Sequence, residues 1–554
     1  MPRKRERFAM LICIKGAHIV DPANRRDEIG DLWIRDDTIV AAPRDGSQPD
    51  ETVDASGLIA MAGGIDIHSH IAGANVNTAR LMLPEHHRAH ARRPAETPLS
   101  NVGWTTFETG RLYAQMGFTT VVEPAVSPHN ALHAHLELAD TPIIDKAILA
   151  ILGNDDFVLS LLRSGEGASA LCDHIAWTLQ TTRALGIKVV NAGGVAAFKD
   201  NIRSFSFDDV VPDYGVTSRA IVKALQKAVH DAGVPHPLHV HCNNLGLPGN
   251  FESALATIAA AEDLPLHLAH LQFYGYGKEG PQGFSSAAPQ LAEAVNAAKN
   301  VTIDVGQVMF GQTVTISSDV LRQFSARGQA RPKKYAIIDG DSNGAGIVPY
   351  EYRAGGFHNA VQFATGLELF LLIDDPWRVF FTTDHPNGAP FTTYPEIFAL
   401  LMDKDVRAEW ASRLPADALP VTTLPSLTRE YTLGEIATMT RAAPAKLLGL
   451  ADRGHLGVGG RADVALYRPG KDIAQMFRAA ARVYKNGELV VRDGEVTRTR
   501  YGRALHVTPD VEASMQRRMT QYYDERYGLP SDFMRVPEGA IARREPFETV
   551  ACRS

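Results

Sequence analysis

The amino-acid sequence predicts an α/β protein, a (β/α)8 TIM barrel carrying a small β-sandwich domain formed from both ends of the chain. Apolar, strand-like runs at 119–123, 147–151, 188–190, 237–241, 266–270, 301–305 and 379–383 alternate with helix-length segments. That alternation is the pattern of a parallel sheet covered on both faces, and with the run that enters His68 it supplies roughly eight units, enough to close a barrel. Short strand-and-turn signals between 8 and 53 return at 462–491, where Asn486-Gly487 marks a hairpin, so the two ends are expected to pair in one domain. The expected organisation is residues 8–56 as the first part of the β-sandwich, 57–425 as the barrel, 426–500 as a closing helix and the second part of the sandwich, and 501–554 as a C-terminal helix and arm.

Composition bounds the function. The chain has 554 residues, 45% hydrophobic and 21% charged, with a net charge of −7, which gives no reason to expect nucleic acid as a partner. Cysteines at 13, 172, 242 and 552 have neither paired metal-ligand spacing nor the density of a disulfide framework, so a reducing, cytoplasmic setting is expected. The basic start is followed by too short an apolar run for a secretory signal, and no stretch is long enough to span a bilayer, so no membrane is expected.

The stretch 57–70, Gly-Leu-Ile-Ala-Met-Ala-Gly-Gly-Ile-Asp-Ile-His-Ser-His, reads as a buried strand that delivers two imidazoles on one side, because residues i and i+2 of a strand point the same way. A His-x-His alone is equally well two histidines beyond a core strand. In a barrel, however, the carboxyl ends of the strands form the active face. The polar residues that end or interrupt the later apolar runs are Lys188, His239 and His241, His267 and His270, and Asp384. Each is by itself an ordinary core histidine or ion-pair partner. Their order along the chain is what carries weight.

Two histidines on the first strand, a lysine on the fourth, histidines on the fifth and sixth and an aspartate on the eighth resemble the amidohydrolase superfamily. The flanks Val53-Asp-Ala-Ser-Gly57 and Gly454-His-Leu-Gly-Val-Gly-Gly-Arg-Ala-Asp463 look like that superfamily's passages into and out of its β-domain. Within it, His68-Ser-His-Ile-Ala-Gly-Ala-Asn-Val-Asn77, Gly186-Ile-Lys-Val-Val-Asn-Ala-Gly-Gly194 and His239-Val-His-Cys-Asn-Asn-Leu-Gly246 resemble the A-subunit family of formylmethanofuran dehydrogenase and of the bacterial formyltransferase/hydrolase complex of methylotrophs.

The resemblance implies a dinuclear zinc hydrolase. His68, His70 and Asp384 would hold one ion and His241 and His270 the other, with the N6-carboxylated Lys188 bridging two Zn2+. A buried amine with a depressed pKa can take up carbon dioxide to become that carbamate. Asp384 would be catalytic as well, accepting a proton from the attacking water and passing it to the leaving amine. His239 and His385 are expected to brace the ligands from behind, and Asn75, Asn77, Asn243 and Asn244 to reach substrate or merely cap loops. The implied substrate is a formyl carrier, methanofuran or methylofuran, and the implied partners are a formyltransferase and further members of one complex.

Some readings stay open on the sequence. Lys199, in Ala-Ala-Phe-Lys-Asp200, resembles the bridging lysine of cyclic-amide hydrolases and competes with Lys188. An archaeal-type enzyme condensing formate with the carrier amine, a dihydropyrimidinase-like hydrolase and a catalytically silent scaffold are the alternatives. His267 is expected on the face opposite His270, residues 80–100 as a lid or subunit contact, and the chain beyond ~500 as a helix from Thr508 followed by an arm on a neighbouring subunit or a loose tail.

Overall fold

A computed structural model describes residues 10–90, 106–199, 205–280, 282–317, 338–339, 346–541 and 546–553. Eight parallel strands follow one another around the barrel: Gly64–Asp66, Phe118–Val126, Asp145–Leu152, Gly186–Val190, Leu238–His241, Leu266–Leu268, Val301–Asp304 and Val379–Phe380. Each pairs with the next in parallel register. Closure falls beyond the last strand, where Ser69 bridges His385, the His70 N–H donates to the His385 carbonyl at 2.8 Å and the Thr382 hydroxyl to the His68 carbonyl at 2.5 Å. The ring is therefore sealed at the level of the candidate site.

The strands are apolar because they are covered inside and out, and Val121, Ile148, Ile187, Val189, Leu238, Leu266 and Ile303 are all fully buried. The apolar faces of the surrounding helices complete that core. An excursion after the seventh strand places Gly311–Ser317 antiparallel to Gly346–Tyr352 beside the barrel mouth. Its Val314 and Ile347 pack against Ala79 and Leu83 of the loop after strand one.

Both chain ends meet in one continuous nine-stranded sheet. Its centre is Ile59–Ala62, antiparallel to Val464–Tyr467 and parallel to part of Leu11–Asp21, over a core of Ile14, Ile19, Leu32, Ile34, Val464 and Leu466. The expected hairpin forms between Arg482–Lys485 and Glu488–Arg492, with Asn486 and Gly487 both at positive φ, 48° and 75°.

Two expectations are corrected. The run 57–70 is not one strand: Ile59–Ala62 belongs to the β-domain and only Gly64–Asp66 to the barrel. Gly63 and Gly64 make the turn because an added Cβ would meet Thr119 at 2.1 Å and Phe118 at 2.7 Å, so the chain passes hard against strand two. Residues beyond 500 also do not leave the chain. Ala504–Val507 and Phe547–Val550 add parallel strands beside strand three, and the helix Ala513–Tyr527, capped by Gly528 at φ 64°, packs on the helix Ala168–Thr182. Pro509 lies before this helix rather than in its first turn. Trp177 Nε1 donates to Gln516 at 2.9 Å and Arg518 pairs with Glu166 at 2.6 Å, contacts that a local sequence pattern cannot anticipate. Of the expected lid at 80–100, residues 91–100 lie outside the described residues.

Candidate metal centre

The six expected donors come together at the barrel mouth. His68 Nε2 lies 3.0 Å from Asp384 Oδ1 and 3.3 Å from Lys188 Nζ. His70 Nε2 lies 3.1 Å from the same Asp384 oxygen, and His241 Nδ1 lies 3.1 Å from His270 Nε2. Five of these residues line one cavity of about 790 Å³, and His68 lies buried directly beneath it. That volume is in the range of small-molecule sites.

The arrangement fits a metal. His68, His270 and Asp384 present ligand atoms within 4.8 Å of one another. Donors bound at ~2.1 Å to a tetrahedral zinc would lie ~3.4 Å apart, close to the separations found. Asp384 Oδ1 faces two imidazole nitrogens yet hydrogen-bonds to neither, so the three atoms point at a common space rather than at each other.

Local backbone explains the aim. Leu266–Leu268 ends before His270, which turns into the left-handed region at φ 33°, and Asp384 does the same at φ 50°. His267 and His270 are thereby both inside the barrel, correcting the expectation of opposite faces: strand alternation no longer applies once the chain has left the strand. A tight turn holds Asp384, with the Asn387 N–H donating to its carbonyl at 2.7 Å and Asn387 Nδ2 to Oδ2 at 3.0 Å. Aspartate tolerates this conformation better than most residues.

Electrostatics follow from burial. Burial pushes the Lys188 amine down to about 8, against the pull of Asp384, Asp304 and Glu123. Burial favours a neutral ring at His70 too, but Glu123 and Asp384 outweigh it and raise the imidazole to about 9. Burial alone would raise the Asp384 carboxyl; His270 and His68 hold it well below the usual range instead. His239 and His270 are kept neutral, chiefly by burial.

Two carboxylates were not singled out by the sequence reading. Glu123, within strand two at the end of its apolar run, accepts from His70 Nδ1 at 3.0 Å and from the N–H groups of Ile71 and Ala72 at 2.6 and 2.9 Å. Asp304, ending strand seven, meets His68 Nδ1 at 3.1 Å and His267 Nε2 at 3.0 Å. Both close apolar runs, the very signal that drew attention to Asp384. His239 stands behind His68, its Nε2 3.0 Å from His68 Nδ1, and its Nδ1 meets His236 at 3.1 Å. His385 faces away from the cavity, accepting from the Phe391 N–H at 3.2 Å and lying 3.8 Å from Glu85.

Of the four asparagines, Asn75 lines the cavity. Asn77 binds Glu137 and Asn243 donates to Ser218 Oγ at 2.9 Å, so these two side chains brace loops, while at Asn244 the backbone carbonyl accepts from Asn250 at 3.0 Å. Lys188 occupies strand four, whereas Lys199 ends the helix Gly194–Lys199.

Comparison with known proteins agrees with this geometry. The amidohydrolase family model matches residues 51–498. The chain is 49% identical over 551 residues, 98% of its length and 100% of the relative's, to the A-subunit of the formyltransferase/hydrolase complex Fhc of Methylorubrum extorquens. It is 38% identical over 537 residues, 93% of its length and 94% of the relative's, to Protein FwdA of Methanocaldococcus jannaschii. Among solved structures, a chain of the Methylorubrum extorquens formyltransferase/hydrolase complex (FhcABCD) in complex with methylofuran superposes with a TM-score of 0.92 at 50% identity, covering 98% of this chain and 100% of that one. N-acyl-D-glutamate deacylase from Bordetella bronchiseptica, at 18% identity and a TM-score of 0.50 over 88% of this chain and 99% of that one, shares the fold alone. From the match over most of its length and from its full-length relatives, the chain belongs to the amidohydrolase family, as a metal-dependent enzyme.

Proposed function

We propose that this chain hydrolyses the formyl amide of a formylated furan-amine carrier, formylmethanofuran or formyl-methylofuran, to formate and free amine, as the hydrolase component of a cytoplasmic formyltransferase/hydrolase complex. The observation that carries the reading is a likeness spanning both full lengths to a component of such a complex, together with six convergent donors. The donors also speak against a silent scaffold, which has no reason to keep them. The higher identity to the bacterial relative than to the archaeal one favours hydrolysis over formate condensation.

In this reading His68, His70 and Asp384 would hold one zinc ion and His241 and His270 a second, with Lys188, once carboxylated, as a ligand shared by both. When bound, the ions supply Lewis acidity, activating water and polarising the formyl carbonyl. The chain's own residues do the rest. The neutral fraction of Lys188, available because burial brings its pKa to about 8, adds carbon dioxide. Glu123 accepts from His70 Nδ1 and so leaves Nε2 free to face the cluster. Asp384 takes the proton released as water adds to the formyl carbon and returns it to the nitrogen as the C–N bond breaks, so a neutral amine departs. Asn75 and the aromatic wall of Phe273, Phe284, Tyr350 and Tyr352 border the space left for the carrier.

Formate release from formylated carrier by the purified complex, with metal content measured on the same sample, tests the reading. Lys188→Ala should lose metal and activity and regain part of both with a short added carboxylic acid, while Lys199→Ala should not behave so. Turnover of dihydrouracil or hydantoin, with none of the formyl carrier, would replace it with a cyclic-amide hydrolase.

A further inference from the structure

Asp304 is completely buried and ends the seventh barrel strand. Its two oxygens divide their work. Oδ2 lies 3.1 Å from His68 Nδ1 and 3.0 Å from His267 Nε2, while Oδ1 accepts the backbone N–H of His270 at 2.6 Å. One carboxylate thus grips a residue from each half of the proposed ligand set: His68, which faces Asp384 and Lys188, and His270, which faces His241 and whose ligand atom also lies within 4.8 Å of those of His68 and Asp384.

Each grip has a chemical consequence. His239 Nε2 also lies 3.0 Å from His68 Nδ1, but the charged carboxylate is the stronger acceptor, so it fixes His68 as the Nδ1–H tautomer and leaves the Nε2 lone pair toward the cavity. At His270 the charge-assisted bond holds a backbone at φ 33°, a conformation a histidine seldom adopts unaided. A second observation points the same way: a Cβ added at Gly306, two residues on, would meet His270 Cβ at 2.5 Å and Cα at 2.9 Å. The end of strand seven is therefore pressed directly against His270. His267, whose Nδ1 also meets Thr302 Oγ1 at 2.9 Å, anchors Asp304 from below.

We propose that Asp304 is a positioning residue that couples the two halves of the centre, setting the tautomer of His68 and the backbone of His270 together so that both cations are held or lost as a pair. This rests on the metal-centre reading above but not on the identity of the substrate. An asparagine is the informative replacement. If its Oδ1 keeps the His270 N–H, its amide nitrogen must face His68 Nδ1 as a donor, which forces the proton of His68 onto Nε2.

The test is titration of the demetallated complex with zinc against a chelator of known affinity, and with cobalt(II) followed by its visible absorption, for wild type, Asp304→Asn and His267→Phe. Thermal unfolding of the metal-free proteins is measured alongside. Asp304→Asn should weaken both binding steps by about 10- to 100-fold and alter the cobalt spectrum of both ions. His267→Phe leaves the carboxylate in place without its anchor and should weaken both steps less; it keeps the test decisive if Asp304→Asn does not fold. Unchanged affinities and spectrum with lowered thermal stability would make Asp304 merely structural and overturn the inference, as would loss at one step only. A wild-type protein that binds no metal would instead refute the metal-centre reading itself.

Discussion

The two ends of the barrel bury polar groups in opposite ways. At the amino ends of the strands, Asp145 takes Lys485 at 2.8 Å and Arg453 at 2.9 Å, Lys485 also reaches Asp463 at 2.6 Å, and Arg453 and Arg461 share Glu548 at 2.8 and 2.7 Å and Asp452 at 2.6 and 2.7 Å. Arg503 also reaches Glu548 at 3.1 Å, so four cations meet four carboxylates; the cluster is electrically complete and ties the barrel, the β-domain and the last strand together. At the carboxyl ends, Glu123, Asp304 and Asp384 converge on imidazoles and a lysine: burial holds His239 and His270 neutral and lowers Lys188 to about 8, while Glu123 and Asp384 raise His70 to about 9. Three carboxylates there meet at most two cationic side chains, Lys188 and His70, so that cluster is short of positive charge. A buried polar cluster that neutralises itself serves stability; one left short of cations is built to receive them.

Four measurements would break or sharpen this contrast. The largest effect is expected from Asp384→Asn, which should lower formate release by a factor on the order of 10²–10⁴ even when excess zinc restores full loading, because an amide cannot carry the proton. Retention of more than a tenth of the rate by a loaded variant would move proton transfer elsewhere. At the other end, Lys485→Met leaves the buried Asp463 without its cation and Asp145 with Arg453 alone, and should cost about 3–5 kcal/mol of stability in urea unfolding, with turnover per folded molecule intact. Loss of turnover without loss of stability would erase the distinction between the two clusters.

Acidification should separate them next. The neutral fraction of Lys188 falls from about half at pH 8 to about one per cent at pH 6, so carbon dioxide uptake and metal loading should fall roughly 50-fold over that window. The Asp145 carboxyl, by contrast, is held below its unfolded value by Lys485 and Arg453 against burial. Its contribution is present above an unfolded pKa of ~3.9 and lost only as pH falls below it, so the difference in unfolding temperature between wild type and Lys485→Met should change little until about pH 4. Parallel loss of both properties between pH 8 and 6 would contradict separate clusters. The smallest effect is expected from Glu123→Gln, which loosens one ring: metal affinity should drop by about tenfold, read by chelator competition.

Much was legible in the sequence because it is local. Apolar runs separated by helix-length segments specify parallel strands, Asn486-Gly487 specifies a hairpin, and the donors were found because a charged or imidazole group ending an apolar run is costly unless it has a purpose. Other features were illegible because no short window contains their cause. Ile59–Ala62 and Gly64–Asp66 form one apolar run, and only their partners, Val464–Tyr467 and Phe118–Val126, divide it between two domains. His267 and His270 share the barrel interior because the strand stops at Leu268 and the chain turns left-handed at His270. The C-terminal segment reads as an arm, having little apolar periodicity of its own; it folds back because strand three offers an open edge at Lys146 and Ala147 and Trp177 offers a hydrogen bond to Gln516. Asp304 gains its importance from being threaded between His68 and His270, 236 and 34 residues away. The sequence by itself determined which elements form and which side chains can bind a cation, since period and residue chemistry are properties of short stretches. The tertiary structure alone decided which edges pair and which carboxylate orients which ligand, since those depend on distances between groups far apart along the chain.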